Sequence, residues 1–123
     1  MKPQSFSVQA RLKSFQYSFE GIAQFFKREH NSWLHFAATV AVIITASLVG
    51  VTKTELLALV FAIGFVWVAE MFNTCIEHIM DFISTKTDPE IRFIKDLASG
   101  AVLVSGITAL IVGLIIFIPK FFN

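Results

Sequence analysis

Three long stretches almost free of charge constrain this chain more than any other feature. Trp33 to Val51 reads WLHFAATVAVIITASLVGV, with His35 as its only titratable residue. Leu56 to Phe72 is interrupted by Glu70 alone, and Leu97 to Pro119 carries no charge at all. A helix needs roughly 20 such residues to cross a hydrocarbon core of about 30 Å. Buried helices of soluble proteins are seldom so long and so uniformly apolar. The three stretches therefore predict three transmembrane helices, over about 33–51, 56–80 and 90–118. The first cannot be a cleavable signal, because more than 30 residues precede it and no small-residue cleavage site follows a short apolar core. Composition agrees: 55% of the 123 residues are hydrophobic, 15% are charged, and the mean hydropathy is +0.70, where soluble domains carry about a quarter charged residues. This length suits one domain, covering 1–123. A net charge of +1 and the lack of a long basic run give no reason to expect a nucleic-acid partner. A single cysteine, Cys75, excludes an intrachain disulfide and a multi-cysteine zinc site.

The segment before the first span differs. Leu12, Phe15, Phe19, Ile22 and Phe26 recur at one helical face, while Arg11, Lys13, Gln16, Glu20, Gln24 and Lys27 lie largely elsewhere. An amphipathic helix over about 6–30, lying in the membrane interface, is expected; a soluble helix docked on a partner is the alternative. Basic residues then orient the chain. Lys2, Arg11, Lys13, Lys27 and Arg28 precede the first span, and Lys86, Arg92 and Lys95 separate the second from the third; Lys53 and Lys120 alone fall on the other side. The positive-inside rule places the N-terminus and the second connection in the cytoplasm.

In that topology EMFNTCIEHIMD, Glu70 to Asp81, is the cytoplasmic end of the second span. From Leu56 to Glu70 the helix rises about 21 Å, so Glu70 is expected roughly 9 Å inside the hydrocarbon, with Glu77 at its boundary and Asp81 beyond. At about 100° per residue Glu70, Asn73, Glu77 and Asp81 share an arc of roughly 80°. A charge at such depth is costly and normally faces protein or a water-filled cavity. Cys75 falls off this stripe and reads as a packed, inert thiol; His78 lies at its edge and reads as an interfacial side chain. The third span begins at TKTDPEIRFIKD, with Thr87 and Glu90 as one possible capping box and Asp88 before Pro89 as another N-cap. Arg92, Lys95 and Asp96 follow in its first turns. With Glu29 ending the N-terminal helix, three segments are expected to converge at one side of the membrane.

Carboxylates bind Mg²⁺ through hard oxygens, usually beside substrate phosphates. A lysine offsets charge developing on a transferred phosphoryl group. A carboxylate set into the membrane can take a proton from a hydroxyl there, and that hydroxyl belongs to a lipid. The set reads as a lipid kinase. No GxxxxGK loop and no kinase glycine loop occurs, so the familiar nucleotide folds are absent. A transporter or channel would carry its acids near the midplane with polar residues continuing across, and a structural subunit would not explain the aligned stripe together with Lys95.

These residues resemble the prokaryotic diacylglycerol kinase family, which includes the undecaprenol kinases of Gram-positive bacteria. The motif E-x-x-N-S/T-x-I/V-E-x-x-x-D is present as Glu70 to Asp81, and K-D-x-x-S/A-G/A-A-V as Lys95 to Val102, KDLASGAV. FQYSFEGI matches the N-terminal helix more weakly. The resemblance implies Glu70 as the general base, Glu29 and Glu77 as Mg²⁺ carboxylates, and Lys95, with Asp96 beside it, at the phosphates of ATP. It puts Asn73 and Asp81 in the lining of the site. Tyr17, Ser18, Lys13 and Arg11 become nucleotide or substrate contacts. It also implies a homotrimeric helical bundle with shared active sites in the bacterial cytoplasmic membrane. Small residues at Ala101, Ser105, Ala109 and Gly113, and at Ala38, Ala46 and Gly50, suit close helix approach. The acceptor, diacylglycerol or undecaprenol, is left open by spacing and composition.

Overall fold

The computed structural model describes residues 5–122. Lys2, which enters the topology reading, lies outside them. Four helices follow in order: α1 (Val8–Arg28), α2 (Asn31–Val49), α3 (Lys53–Ile83) and α4 (Pro89–Phe122). The described residues contain helices and connections and no strand. Three of the helices, α2, α3 and α4, are long and apolar enough to cross a membrane. The chain divides into two compact units, Met1–Phe36 and Ala37–Asn123, and each is described by itself.

In the first unit Ser7 caps α1, its side chain accepting from the Ala10 amide at 3.3 Å. Lys27 and Arg28 occupy the last turn, where the helix dipole favours positive charge. Leu12, Phe15 and Phe19 all stand exposed, so the apolar face foreseen for this helix is real and uncovered within the chain. The elbow into α2 is tightly made. The Ser32 hydroxyl donates to the Glu29 carbonyl at 2.6 Å, the Ser32 amide to the same carbonyl at 3.1 Å, and the Trp33 indole N–H to the Phe26 carbonyl at 3.0 Å. Phe26, Trp33 and Phe36 meet edge to face around it.

In the second unit α2, α3 and α4 meet in a small core of Ala46, Leu59 and Ile116, with Val42, Val51, Ala58, Val112 and Phe117 packed on it. α2 stops because Gly50 adopts φ 78°, a left-handed value at which glycine carries no steric cost. Two residues later Thr52 opens α3 with a complete capping box: its hydroxyl accepts from the Glu55 amide at 3.1 Å and its amide donates to Glu55 Oε1 at 2.9 Å. That cap starts the helix at Lys53 rather than at 56. At the other end α3 continues three residues past 80, to Ile83. Glu55 serves twice, since Lys120 Nζ lies 3.0 Å from the same Oε1. The start of α3 is thereby tied to the end of α4. α4 also runs past the expected end at 118, through Pro119 to Phe122. Pro119 has no N–H to give to the carbonyl four residues earlier, and only three helical residues follow it.

The small residues divide. Ser105 is fully buried, its hydroxyl donating to the Val102 carbonyl at 2.7 Å, and Ala98 is buried two turns before it. Ala46 joins the core, whereas Ala101 and Ala38 stay exposed. Large apolar side chains such as Phe61 and Leu48 are about as exposed as solvent-facing lysines, at 77% and 81%. Water would not tolerate so wide an apolar surface; a bilayer does.

Candidate active site

The local chemistry begins at the α3–α4 connection, residues 84–88. Ser84 ends α3, its amide donating to the Met80 carbonyl at 3.1 Å and its hydroxyl accepting from the Lys86 amide at 3.1 Å. Of the two N-caps open in the sequence, the hydrogen bonds pick out Asp88: its Oδ1 accepts from the amides of Glu90 at 2.8 Å and Ile91 at 3.4 Å. Pro89 occupies the first helical position, where its missing N–H costs nothing. So short and well-capped a connection holds the last turn of α3 against the second turn of α4.

There Lys95 Nζ donates to Asp81 Oδ1 at 2.6 Å. Glu77 is near enough for its negative charge to act on the same ammonium group. Two sequence motifs fourteen residues apart, one on each helix, thus become one charged cluster. Arg92 and Asp96 pair along α4 at 3.7 Å, both widely exposed. A cavity of about 220 Å³ opens beside them, bordered by Asp81, Lys86, Arg92, Lys95 and Asp96. Typical ligand pockets measure roughly 300–1,000 Å³, so this one suits phosphate groups rather than a whole nucleotide. Lys86 is a lining residue that motif reasoning missed. Its only signal in the sequence is a basic residue inside the short connection.

Farther up α3 the stripe is half-buried at Glu70, Asn73 and Glu77 and exposed at Asp81. Asn73 Oδ1 is buried without a hydrogen-bond partner. A buried carbonyl oxygen left unmatched costs stability unless something completes it. It lies on the helix face between Glu70 and Glu77, and it offers a hard oxygen. No three His, Cys, Asp or Glu side chains cluster among the described residues. Mg²⁺ in phosphoryl-transfer sites needs only one or two carboxylates with substrate phosphates and water, so Glu77 and the Asn73 oxygen fit it. Cys75 departs from expectation. It is exposed rather than packed.

In the first unit Glu29 caps the end of α1, its amide donating to the Phe25 carbonyl at 3.0 Å, and Ser32 and Trp33 fix the backbone around it. Arg11, Lys13, Tyr17 and Ser18 are all exposed. The Ser18 hydroxyl donates to the Ser14 carbonyl at 3.0 Å, and the Arg11 guanidinium sits over the Phe6 ring at 5.7 Å. At about 100° per residue Arg11 and Ser18 share one side of α1, and Lys13 and Tyr17 share another. One bound molecule lying along α1 would meet one pair, not both.

The family model for prokaryotic diacylglycerol kinase matches residues 16–117. That segment contains Tyr17, Ser18, Glu29, the whole α3 stripe, Lys95 and Asp96, and leaves out Arg11 and Lys13. An undecaprenol kinase of Bacillus subtilis (strain 168) is 39% identical over 108 residues, 88% of each chain. A diacylglycerol kinase of Synechocystis sp. is 33% identical over 109 residues, covering 88% of this chain and 62% of that longer relative. The matched segment runs through α2 and α3 and most of α4, and so covers the helices that carry the acidic stripe and Lys95. The chain belongs to the prokaryotic diacylglycerol kinase family and is a lipid kinase of the diacylglycerol and undecaprenol kinase type.

Proposed function

We propose that the protein transfers the γ-phosphoryl group of ATP to the primary hydroxyl of a membrane lipid at the cytoplasmic boundary of the bacterial inner membrane. The observation that carries this reading is the α3 face bearing Glu70, Asn73, Glu77 and Asp81, with Lys95 Nζ 2.6 Å from Asp81 at its outer end. Glu70, the deepest acid, takes the proton of the lipid hydroxyl. The freed oxygen forms its bond to the γ-phosphorus as the bond to the bridging oxygen breaks, and ADP leaves. Lys95 offsets charge on the phosphates during transfer. Lys86 and Arg92, beside the same cavity, add positive charge for phosphate. Mg²⁺, when bound, draws charge from the phosphate oxygens and opens the phosphorus to attack. Glu77 and Asn73 would hold it from α3, and the resemblance assigns Glu29 to it as well. The resemblance implies Tyr17 and Ser18 as contacts from α1; standing on different sides of that helix, they would serve different molecules, one the nucleotide and the other the lipid, and Arg11 and Lys13 are weaker candidates because they precede the matched segment. Asp96 orients Arg92. A homotrimer with shared sites, which the resemblance implies, is part of this reading.

The acceptor is a polyprenol or a diacylglycerol, the two lipids for which the relatives are named. Purified protein in mixed vesicles, given ATP and Mg²⁺, is expected to label at least one of them. Glu77→Gln is expected to shift the Mg²⁺ titration of that activity to higher concentration while the protein stays folded. No transfer to either lipid by folded protein overturns the reading; an unchanged titration removes Glu77 from the metal.

A further inference from the structure

The face of α3 that carries the acids does not end at Glu70. At about 100° per residue Leu56, Leu59 and Ile63 fall within roughly 40° of it. There the face becomes one wall of an apolar groove of about 460 Å³ between α2 and α3. Val42, Ile43 and Ala46 form the opposite wall; Val51 and Leu56 mark its far end, Thr39 and Gly64 the end nearest Glu70. A side chain at Gly64 would meet nothing within 4 Å. Packing within the chain therefore does not call for glycine there, although glycine inside a helix is costly. Between groove and acid stands Trp67, whose indole N–H is donated to Thr39 Oγ1 at 3.0 Å. With that N–H engaged, the ring offers an apolar passage.

We propose that this groove holds the distal part of the acceptor lipid's own tail, and that it favours acceptors whose chains cross the bilayer midplane. The proposal rests on the lipid-kinase reading of Glu70. Gly64 is about 9 Å and Leu56 about 21 Å along α3 from Glu70. With Leu56 at the far boundary of a core of about 30 Å, all of 56–64 lies in the leaflet opposite the acids. An acceptor whose hydroxyl meets Glu70 sends any chain longer than about 9 Å past the midplane and into the groove. A polyprenyl chain is much longer than that. A helix of a second copy seated in the same groove would continue along the shared face over Glu70 and obstruct the hydroxyl. Held tail and reacting hydroxyl belong to one molecule, so remote contacts there orient the hydroxyl at the base.

The test compares undecaprenol with geraniol, which ends at the groove's mouth, in the same vesicles. Gly64→Leu and Ser47→Phe add bulk to exposed groove positions without disturbing the core. Both are expected to lower kcat/KM for undecaprenol about tenfold, the lower end of what one misplaced methylene is worth in an apolar subsite, and to leave geraniol unchanged. Ile115→Phe, outside the groove, should alter neither. Equal losses for both acceptors, no loss for undecaprenol, or dissociation of the assembly by Gly64→Leu would overturn the proposal. Binding is read separately with a polyprenol bearing a diazirine at its far end. Cross-links are expected within 39–51 and 56–64 in wild type and in Glu70→Gln alike, and cross-links elsewhere count against the groove. Cross-linking in the groove by wild-type protein that phosphorylates no lipid would reject the kinase reading and keep the tail site.

Discussion

Glu70 and Lys95 carry different burdens, and substitution separates them. Glu70→Gln keeps the size of the side chain but cannot take a proton, and general-base contributions run to about 10²–10⁴-fold. That loss is expected in kcat, with the ATP concentration dependence little changed; turnover within a few-fold of wild type removes the base assignment. Asp81→Asn leaves Lys95 without its charged partner at 2.6 Å. The pair is partly exposed, with the lysine side chain at 35% and the aspartate at 61%, so stability should change little. ATP dependence should worsen instead, because the ammonium loses its fixed position; an unchanged KM for ATP in steady-state assays would detach Asp81 from that role. The residues of the acid stripe were legible in the sequence because helical spacing alone aligns them. The Asp81–Lys95 bond was legible only as a shared level in the membrane, since spacing does not say which lysine crosses to which acid. Lys86 was invisible as a site residue, because its place depends on how residues 84–88 turn.

At the scale of elements, the three spans and the amphipathic α1 follow from hydropathy and periodicity, and the helix ends shift by the reach of their caps. Thr52 and Glu55 form a box that apolar counting does not see, and it extends α3 back to Lys53. The tie from Glu55 to Lys120 joins residues far apart in sequence, and no local pattern announces it. It has a measurable consequence. Both side chains are largely covered, at 26% and 22% exposed, and Glu55 also completes the cap. Glu55→Ala should therefore destabilise the protein, since it removes both the acceptor of the Thr52 amide and the partner of Lys120. Lys120→Met should cost less, since the cap survives. Thermal unfolding in detergent reads both, and activity at low temperature should be intact, because the pair sits at the opposite end of α3 from the acids. Equal destabilisation by the two variants would mean that the capping box contributes nothing.

For the molecule as a whole, the distribution of Lys and Arg makes topology testable. In a Cys75→Ala background, single cysteines at Ser5, Thr54, Thr85 and Asn123 should react with an impermeant thiol reagent on intact cells only at Thr54 and Asn123. Labelling at Thr85 would reverse the orientation and place the acid stripe outside. Another consequence lies in the turn between α2 and α3, where Gly50, Val51 and Thr52 are all that separates two spans. During synthesis such a connection has no slack. α2 cannot be released into lipid and wait for α3, because its far end would have to remain threaded until the next span arrives. The two are expected to enter the bilayer together as a hairpin, driven by their combined hydrophobicity, and Lys53 at its turn is the one lysine or arginine between 31 and 83. Biogenesis of the protein is thereby set to begin with a paired insertion, and a longer, charged insert at Val51 would slow that step before it touched the finished enzyme.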